Sequence, residues 1–240
     1  MQFGVSPFGS NGTNYNELYA DVTLWMRKGW VDYVAPQIYW SIGHKTSDFS
    51  MLYDWWAEEA KKSETERPCT FYTGLYASAL DLYAQQQKAW STPNELARQL
   101  NLGRKREKDK GAFFYSSRYF LRNLQGLQDS LQRNYYRYPA LPPACAGGDA
   151  SEAPANVRYD GDVLSWSPVA VGEDTSKAVR YYVVYELPLG NTDNELSADR
   201  IVTTTVDTQF RHRFKENCRI AVTSFNLFRR ESEPAIIFSF

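Results

Sequence analysis

From Phe3 to about Tyr138, short apolar runs alternate with longer stretches in which apolar residues recur every three or four positions, the pattern of repeating βα units. The predicted strands cover residues 3–9, 31–39, 69–76 and 111–115. Between the first two, the spacing predicts a polar loop over 9–14 and a helix over 17–28, with Leu18, Val22, Trp25 and Met26 on one face and Gly29 as its stop. Ser47 or Asp48 caps a helix that runs through Leu52, Trp55, Trp56 and Ala60 to about Lys62. Pro93 opens another, which carries Leu96, Leu100 and Leu102. A last helix over 118–134 places Phe120, Leu121, Leu124, Leu127 and Leu131 on one side. Strands of this kind, apolar throughout and ending in polar and aromatic residues, read as strands of a parallel barrel whose carboxyl ends build a site. A barrel needs eight and four fit here, so residues 1–138 read as the back half of a (β/α)8 (TIM) barrel.

Residues 139–153 are rich in Pro, Ala and Gly and read as a linker. Beyond it the apolar period drops to two, at 163–166, 181–185, 200–205 and 219–226, which predicts an all-β sandwich over 154–240. The segment resembles a fibronectin type III module, with Asn156-Val157 opening the first strand, Trp166 as core tryptophan, and Glu231-Ser232-Glu233-Pro234 leading into the last strand. The expected fold class is therefore α/β plus all-β.

Composition narrows the function classes. With 27 basic and 28 acidic residues and no strong segregation, there is no electrostatic footprint for nucleic acid. The basic run Arg104-Lys105-Arg106 is followed at once by Glu107 and Asp109, as at a solvated helix end. No apolar run reaches the roughly 18 residues of a membrane span, and the first residues lack the pattern of a signal peptide. Three scattered cysteines and two histidines give neither a disulfide framework nor a metal pattern, so no cofactor or metal is expected.

The strand ends carry the candidate chemistry. Gln37 offers a donor and an acceptor to sugar hydroxyls, and Tyr39, Trp40 and Tyr76 offer flat faces with polar edges. Phe8 closes the first strand end, and Ser6, Asn14, Tyr15 and Ser116 are further candidates, each equally readable as a turn residue. Trp25, Trp30, Trp55 and Trp56 read as core. Glycoside hydrolysis ordinarily needs two carboxylates flanking the bond, and none of the four strand ends contains Asp or Glu. Asp32 lies at the start of its strand, Asp21 inside a helix, and Asp81, in the loop after the third strand, alone among the carboxylates reaches toward the strand ends. No catalytic residue is assigned.

Four motifs are similar to the bacterial glycosyl-hydrolase-like family 10: Phe-Gly-Val-Ser-Pro-Phe-Gly at Phe3, Leu-Tyr-Ala-Asp at Leu18, Gly-Trp-Val-Asp-Tyr-Val-Ala-Pro-Gln-Ile-Tyr-Trp at Gly29, and Asp-Trp-Trp-Ala at Asp54. The resemblance covers residues 1 to about 135. It implies a barrel acting on glycans, peptidoglycan strands for some members, with the first four strands and the acidic residues in a preceding segment. It also implies a periplasmic or cell-surface location. Two readings stay open. One is a glycoside hydrolase fragment that supplies substrate subsites; the other is a non-catalytic glycan-binding or surface scaffold module. The open half barrel is expected to pair with a second copy or with a complementing amino-terminal half.

Overall fold

Backbone ladders make the first four strands a single parallel series. A computed structural model of the chain describes residues 2–66, 68–145, 147–170, 172–190 and 196–239, and divides into two compact units, Met1–Tyr135 and Tyr136–Phe240. In the first unit β1 (Gly4–Val5) pairs in parallel with β2 (Tyr33–Val34), which pairs in parallel with β3 (Thr70–Phe71). After Tyr72 the third strand continues as β4 (Thr73–Tyr76), which pairs in parallel with β5 (Ala112–Tyr115). Single bridges Phe8↔Gln37 and Gln37↔Gly74 extend the ladder toward the carboxyl ends. The short strands therefore understate the pairing: Ala35 donates to Val5 O at 2.9 Å, Gln37 to Pro7 O at 2.8 Å, and Gly74 to Pro36 O at 3.1 Å.

Helices cover one face. In α1 (Asn11–Asn16) and α2 (Val22–Arg27) the caps are Ser10 and Asp21, whose side chains accept from Thr13 N and Leu24 N. The helix expected over 17–28 is thus confined to Val22–Arg27, after Tyr19 takes φ 54°, and the expected loop over 9–14 is largely helical. Leu18 and Trp30 are consequently exposed, by 53% and 62%, where core positions were expected. Helix α3 (Phe49–Ala60) begins at Asp48, which accepts from Met51 N, and buries Phe49, Tyr53, Trp56 and Ala57. Trp56 donates its indole N–H to Gly9 O at 2.8 Å, tying that helix to the end of β1.

The short α4 (Ala79–Leu82) follows β4, and α5 (Asn94–Arg106) turns Leu96 and Leu100 inward. The expected helix over 118–134 is split into α6 (Ser117–Leu121) and α7 (Leu127–Asn134). Left-handed backbone at Asn123, Gln125 and Gly126 ends the first and starts the second, which leaves Leu121 in solvent. The core gathers Val34, Ile38, Phe71 and Leu75 under Tyr53, Trp56, Trp90 and Leu96.

In the second unit every strand pair is antiparallel. A three-stranded sheet has the order β10 (Gln209–Arg211), β7 (Val163–Ser167), β6 (Ala155–Tyr159). A four-stranded sheet has the order β12 (Ala235–Ser239), β11 (Cys218–Asn226), β8 (Val179–Pro188), β9 (Ile201–Thr205). Leu164 and Trp166 from the first sheet share a core with Tyr182, Val184, Ile220 and Val222 from the second. The segment with linker composition is tied to this unit: Ser224 Oγ donates to Glu152 O at 2.8 Å, Asn226 Nδ2 to Asp149 O at 2.6 Å, and Cys145 N to Phe228 O at 2.8 Å. Residue 146 within it, and terminal residues 1 and 240, lie outside the described residues.

Two consequences follow for stability of the first unit. A methyl group on Gly74 would stand 2.3 Å from Pro36 O, so Gly74→Ala should cost about 3 kcal/mol and lower the first unit's thermal midpoint; an unchanged midpoint contradicts the close approach. At the opposite strand end, Asp109 accepts from Thr73 Oγ1 at 2.6 Å and Tyr53 OH at 3.1 Å, and burial holds its pKa above the ordinary 3.8 against the pull of those bonds. A raised native pKa means that the native state binds the proton more tightly, so this group's contribution to stability falls as pH rises from 3.8 through the native value, then levels. The unfolding free energy of the parent relative to Asp109→Asn should therefore fall through that interval in denaturant titrations, and a pH-independent difference would contradict it.

Candidate functional site

At the carboxyl ends of β1, β2 and β4 the chain forms a half-open cavity of about 310 Å³. Five of the residues singled out in the sequence line it: Phe8, Gln37, Tyr39, Trp40 and Tyr76. The ladder explains why they meet. Gln37 bridges to Phe8 on one side and Gly74 on the other, so the residues that follow each strand fan out around it. The side chain of Gln37 donates through Nε2 to Ser6 O at 3.0 Å, and Ser6 Oγ donates to Ala35 O at 2.8 Å. Ser6 is thus a brace for the first two strand ends. Asn14 is buried and serves the same loop, accepting from Phe8 N at 2.9 Å and donating to Phe8 O at 2.8 Å. Tyr15 is 57% exposed, and neither it nor Ser116, the residue before α6, lines the cavity.

The tyrosines form one cluster. Tyr39 and Tyr76 stack on each other at 4.4 Å between centroids and 10° between planes, and Tyr115 stands 6.0 Å from Tyr39. Their flat faces are partly spent on one another, so the cluster offers ring edges and hydroxyls to the cavity while Trp40 contributes an indole. Burial, and secondarily Tyr115 and Tyr76, push the Tyr39 hydroxyl up to about 12. It is a neutral donor at any physiological pH.

Four lining residues were missed in the sequence: His44, Tyr83, Gln87 and Trp90. All lie in the loops after β2 and β4, whose paths depend on tertiary packing. Two further residues outside the cavity hold it in shape. Glu95, 1% exposed, accepts from Ile42 N at 2.6 Å and from Gln99 Nε2 at 3.1 Å, and pairs with Arg98 at 2.9 Å. Gln99 Nε2 also donates to Trp40 O at 3.0 Å. A buried carboxylate and amide one turn apart on α5 therefore pin the backbone from Trp40 to Ile42. Their signal in the sequence is position: with Leu96, Leu100 and Gly103 they fill the inward stripe of α5.

No carboxylate lines the cavity among the described residues. Asp81 is paired with Arg122 at 2.9 Å on the surface, and Asp32 accepts from Phe3 N at 2.7 Å at the far end of its strand. Among the described residues no group of three or more His, Cys, Asp or Glu side chains is placed to hold a metal ion. The arrangement can hold an uncharged polyhydroxyl ring by apolar contact and hydrogen bonds; proton transfer to a leaving oxygen has no donor among the lining carboxyls because there are none.

Comparison with known proteins agrees in sequence. The family model described as "Glycosyl hydrolase-like 10" matches residues 1–92, which include the ends of β1, β2 and β4. The chain is 37% identical over 206 residues to "Glycosyl hydrolase YngK" of Bacillus subtilis, covering 77% of this chain and 39% of that protein. It is 34% identical over 79 residues to "Glycosyl hydrolase DigH" of Escherichia coli K12, covering 27% of this chain and 18% of that protein. The chain thus spans well under half the length of these curated relatives. Among solved structures, the Clostridium perfringens spore cortex lytic enzyme SleM overlaps 87% of this chain and 79% of its own at 14% identity and a TM-score of 0.30, a superposition too loose to argue from. Through its residues 1–92 and its likeness to YngK, this chain belongs to the glycosyl hydrolase-like 10 family.

Proposed function

We propose that the first unit supplies the sugar-holding subsites of a glycan-hydrolysing (β/α)8 barrel, with peptidoglycan glycan strands as substrate class and extracytoplasmic action. The observation that carries this is the cavity lined by Gln37, Tyr39, Trp40 and Tyr76 at the carboxyl ends of parallel strands, where barrel enzymes build their sites. The ordered βα series supports the barrel reading. The acid and the base or nucleophile come from residues outside this segment, a reading supported by the lack of a lining carboxylate and by the small share of the relatives that the chain spans. The second unit is read as a fibronectin type III-like module, on the support of its three- and four-stranded antiparallel sheets. A non-catalytic glycan-binding module is the second reading, favoured by that same lack of a carboxylate. Supplying the remaining barrel segment of a family relative separates the two, since restored cleavage supports the hydrolase and persistent binding without cleavage supports the module.

Calorimetry with purified glycan strands tests the site itself. Trp40→Ala should weaken binding about tenfold, equivalent to about 1.4 kcal/mol; unaltered affinity, or no binding by the parent chain, overturns the assignment. Glu95→Ala leaves the Ile42 N–H without its acceptor and the Gln99 amide with Trp40 O alone, a loss of about 1–3 kcal/mol. It should lower both thermal stability and glycan affinity, whereas Glu95→Gln, which keeps an acceptor oxygen, should retain most of the affinity. Equal affinity in Glu95→Ala and parent would show that the loop from Trp40 to Ile42 needs no pin.

A further inference from the structure

Two polar groups in the cavity wall are oriented by bonds they make behind it. Gln37 donates through Nε2 to Ser6 O at 3.0 Å, which sets the direction of its amide and leaves Oε1 as an acceptor. His44, which is partly buried, accepts from Ser47 N at 3.2 Å through Nδ1. A ring nitrogen that accepts carries no hydrogen, so in the neutral imidazole the hydrogen sits on Nε2, and among the described residues nothing bonds there. The wall thus presents one oriented acceptor and one oriented donor, whereas the tyrosine hydroxyls beside them both donate and accept. The loop that carries His44 is held from several sides. Ile42 N donates to Glu95 at 2.6 Å, Gly43 N to the Asp48 carboxylate, and His44 N and Phe49 N to Ser41 O at 3.2 and 3.3 Å. Asp48 is also the cap of α3, so the start of that helix doubles as the anchor of the loop. A donor fixed in this way gives up little freedom when a ligand binds. Beside it the Trp40 ring stands 6.5 Å from the imidazole and supplies apolar surface.

We propose that His44 is a specificity residue for an N-acetylated sugar: its Nε2–H donates to the acetamido carbonyl oxygen, with the acetyl methyl against Trp40 and the acetamido N–H turned to Gln37 Oε1. The assignment rests on the sugar-holding reading of the cavity and names which sugar it holds. A secondary amide carries one donor and one acceptor of fixed kind together with a methyl group, and the wall offers the complement of each. A hydroxyl at the same sugar position meets one polar partner at a time and brings no methyl. A site that hydrogen-bonds a particular group disfavours the analogue lacking it, because its own polar atoms are then left unpaired. Water reaches a half-open cavity and takes up part of that loss, so the preference for the acetylated sugar is about tenfold, roughly one hydrogen bond with its methyl contact.

Calorimetry of the full chain with two uncharged β-1,4-linked tetrasaccharides, one of N-acetylglucosamine and one of glucose, tests it. The parent should bind the acetylated tetrasaccharide about tenfold more tightly. His44→Asn sets an amide oxygen near the Nδ1 position, which keeps an acceptor for Ser47 N, and removes the Nε2 donor; its thermal midpoint should hold while the preference falls to about unity. His44→Gln sets an amide N–H near the Nε2 position and should keep most of the preference. Equal affinities in the parent, or a preference that persists in His44→Asn, overturn the role of His44 and leave the sugar-holding cavity standing. So does a folded His44→Gln that has lost the preference. A parent that binds neither tetrasaccharide overturns the sugar-holding reading itself, and the role of His44 with it.

Discussion

The cleft depends on how closely three strand ends converge on Gln37. Its backbone bridges to Phe8 and to Gly74, and the third strand approaches so near that Gly74 has no room for a side chain beside Pro36 O. Gly9, at the end of β1, is equally confined, with Gln37 O 2.6 Å from its Cβ position and the Trp40 ring 2.9 Å. Two glycines thus allow three strand ends to pack tightly enough for residues 8, 37, 39, 40 and 76 to share one cavity. The motif that holds Pro36, Gln37, Tyr39 and Trp40 is in this sense structural before it is chemical.

A second tier of contacts gives the cavity its walls. Trp56 reaches from α3 to Gly9, and Glu95 with Gln99 reaches from α5 to the backbone between Trp40 and Ile42. Each is a buried polar contact to a loop, and loops closing a cleft need such anchors because few apolar contacts hold them. The cost is a buried carboxylate, offset by Arg98 and by two donors. The walls that result are aromatic and amide-bearing and, among the described residues, carry no carboxylate.

Much of this was legible in the residue pattern. The βα alternation, a cap at Ser47 or Asp48 and the five lining residues at strand ends all follow from local spacing, because each strand end is marked by an abrupt change from aliphatic to polar and aromatic residues. The breaks were not legible. Tyr19, Asn123 and Gln125 adopt left-handed backbone although none is glycine, and the apolar spacing runs on through them as if the helices continued. His44, Tyr83, Gln87 and Trp90 were missed because loop paths are set by packing, and Glu95 because a carboxylate next to Leu96 reads as solvated until its partners on another loop are known. The mutual stacking of Tyr39 and Tyr76 needed the register of β2 against β4, which no single strand contains.

The most direct test of the account is a crystal structure of the chain with a bound glycan oligosaccharide. The account predicts a sugar ring in the cavity against Trp40 and the Tyr39 and Tyr76 edges, with a hydroxyl or acetamido group hydrogen-bonded to Gln37. A sugar bound only on the second unit, or an empty cavity at saturating ligand, would contradict it.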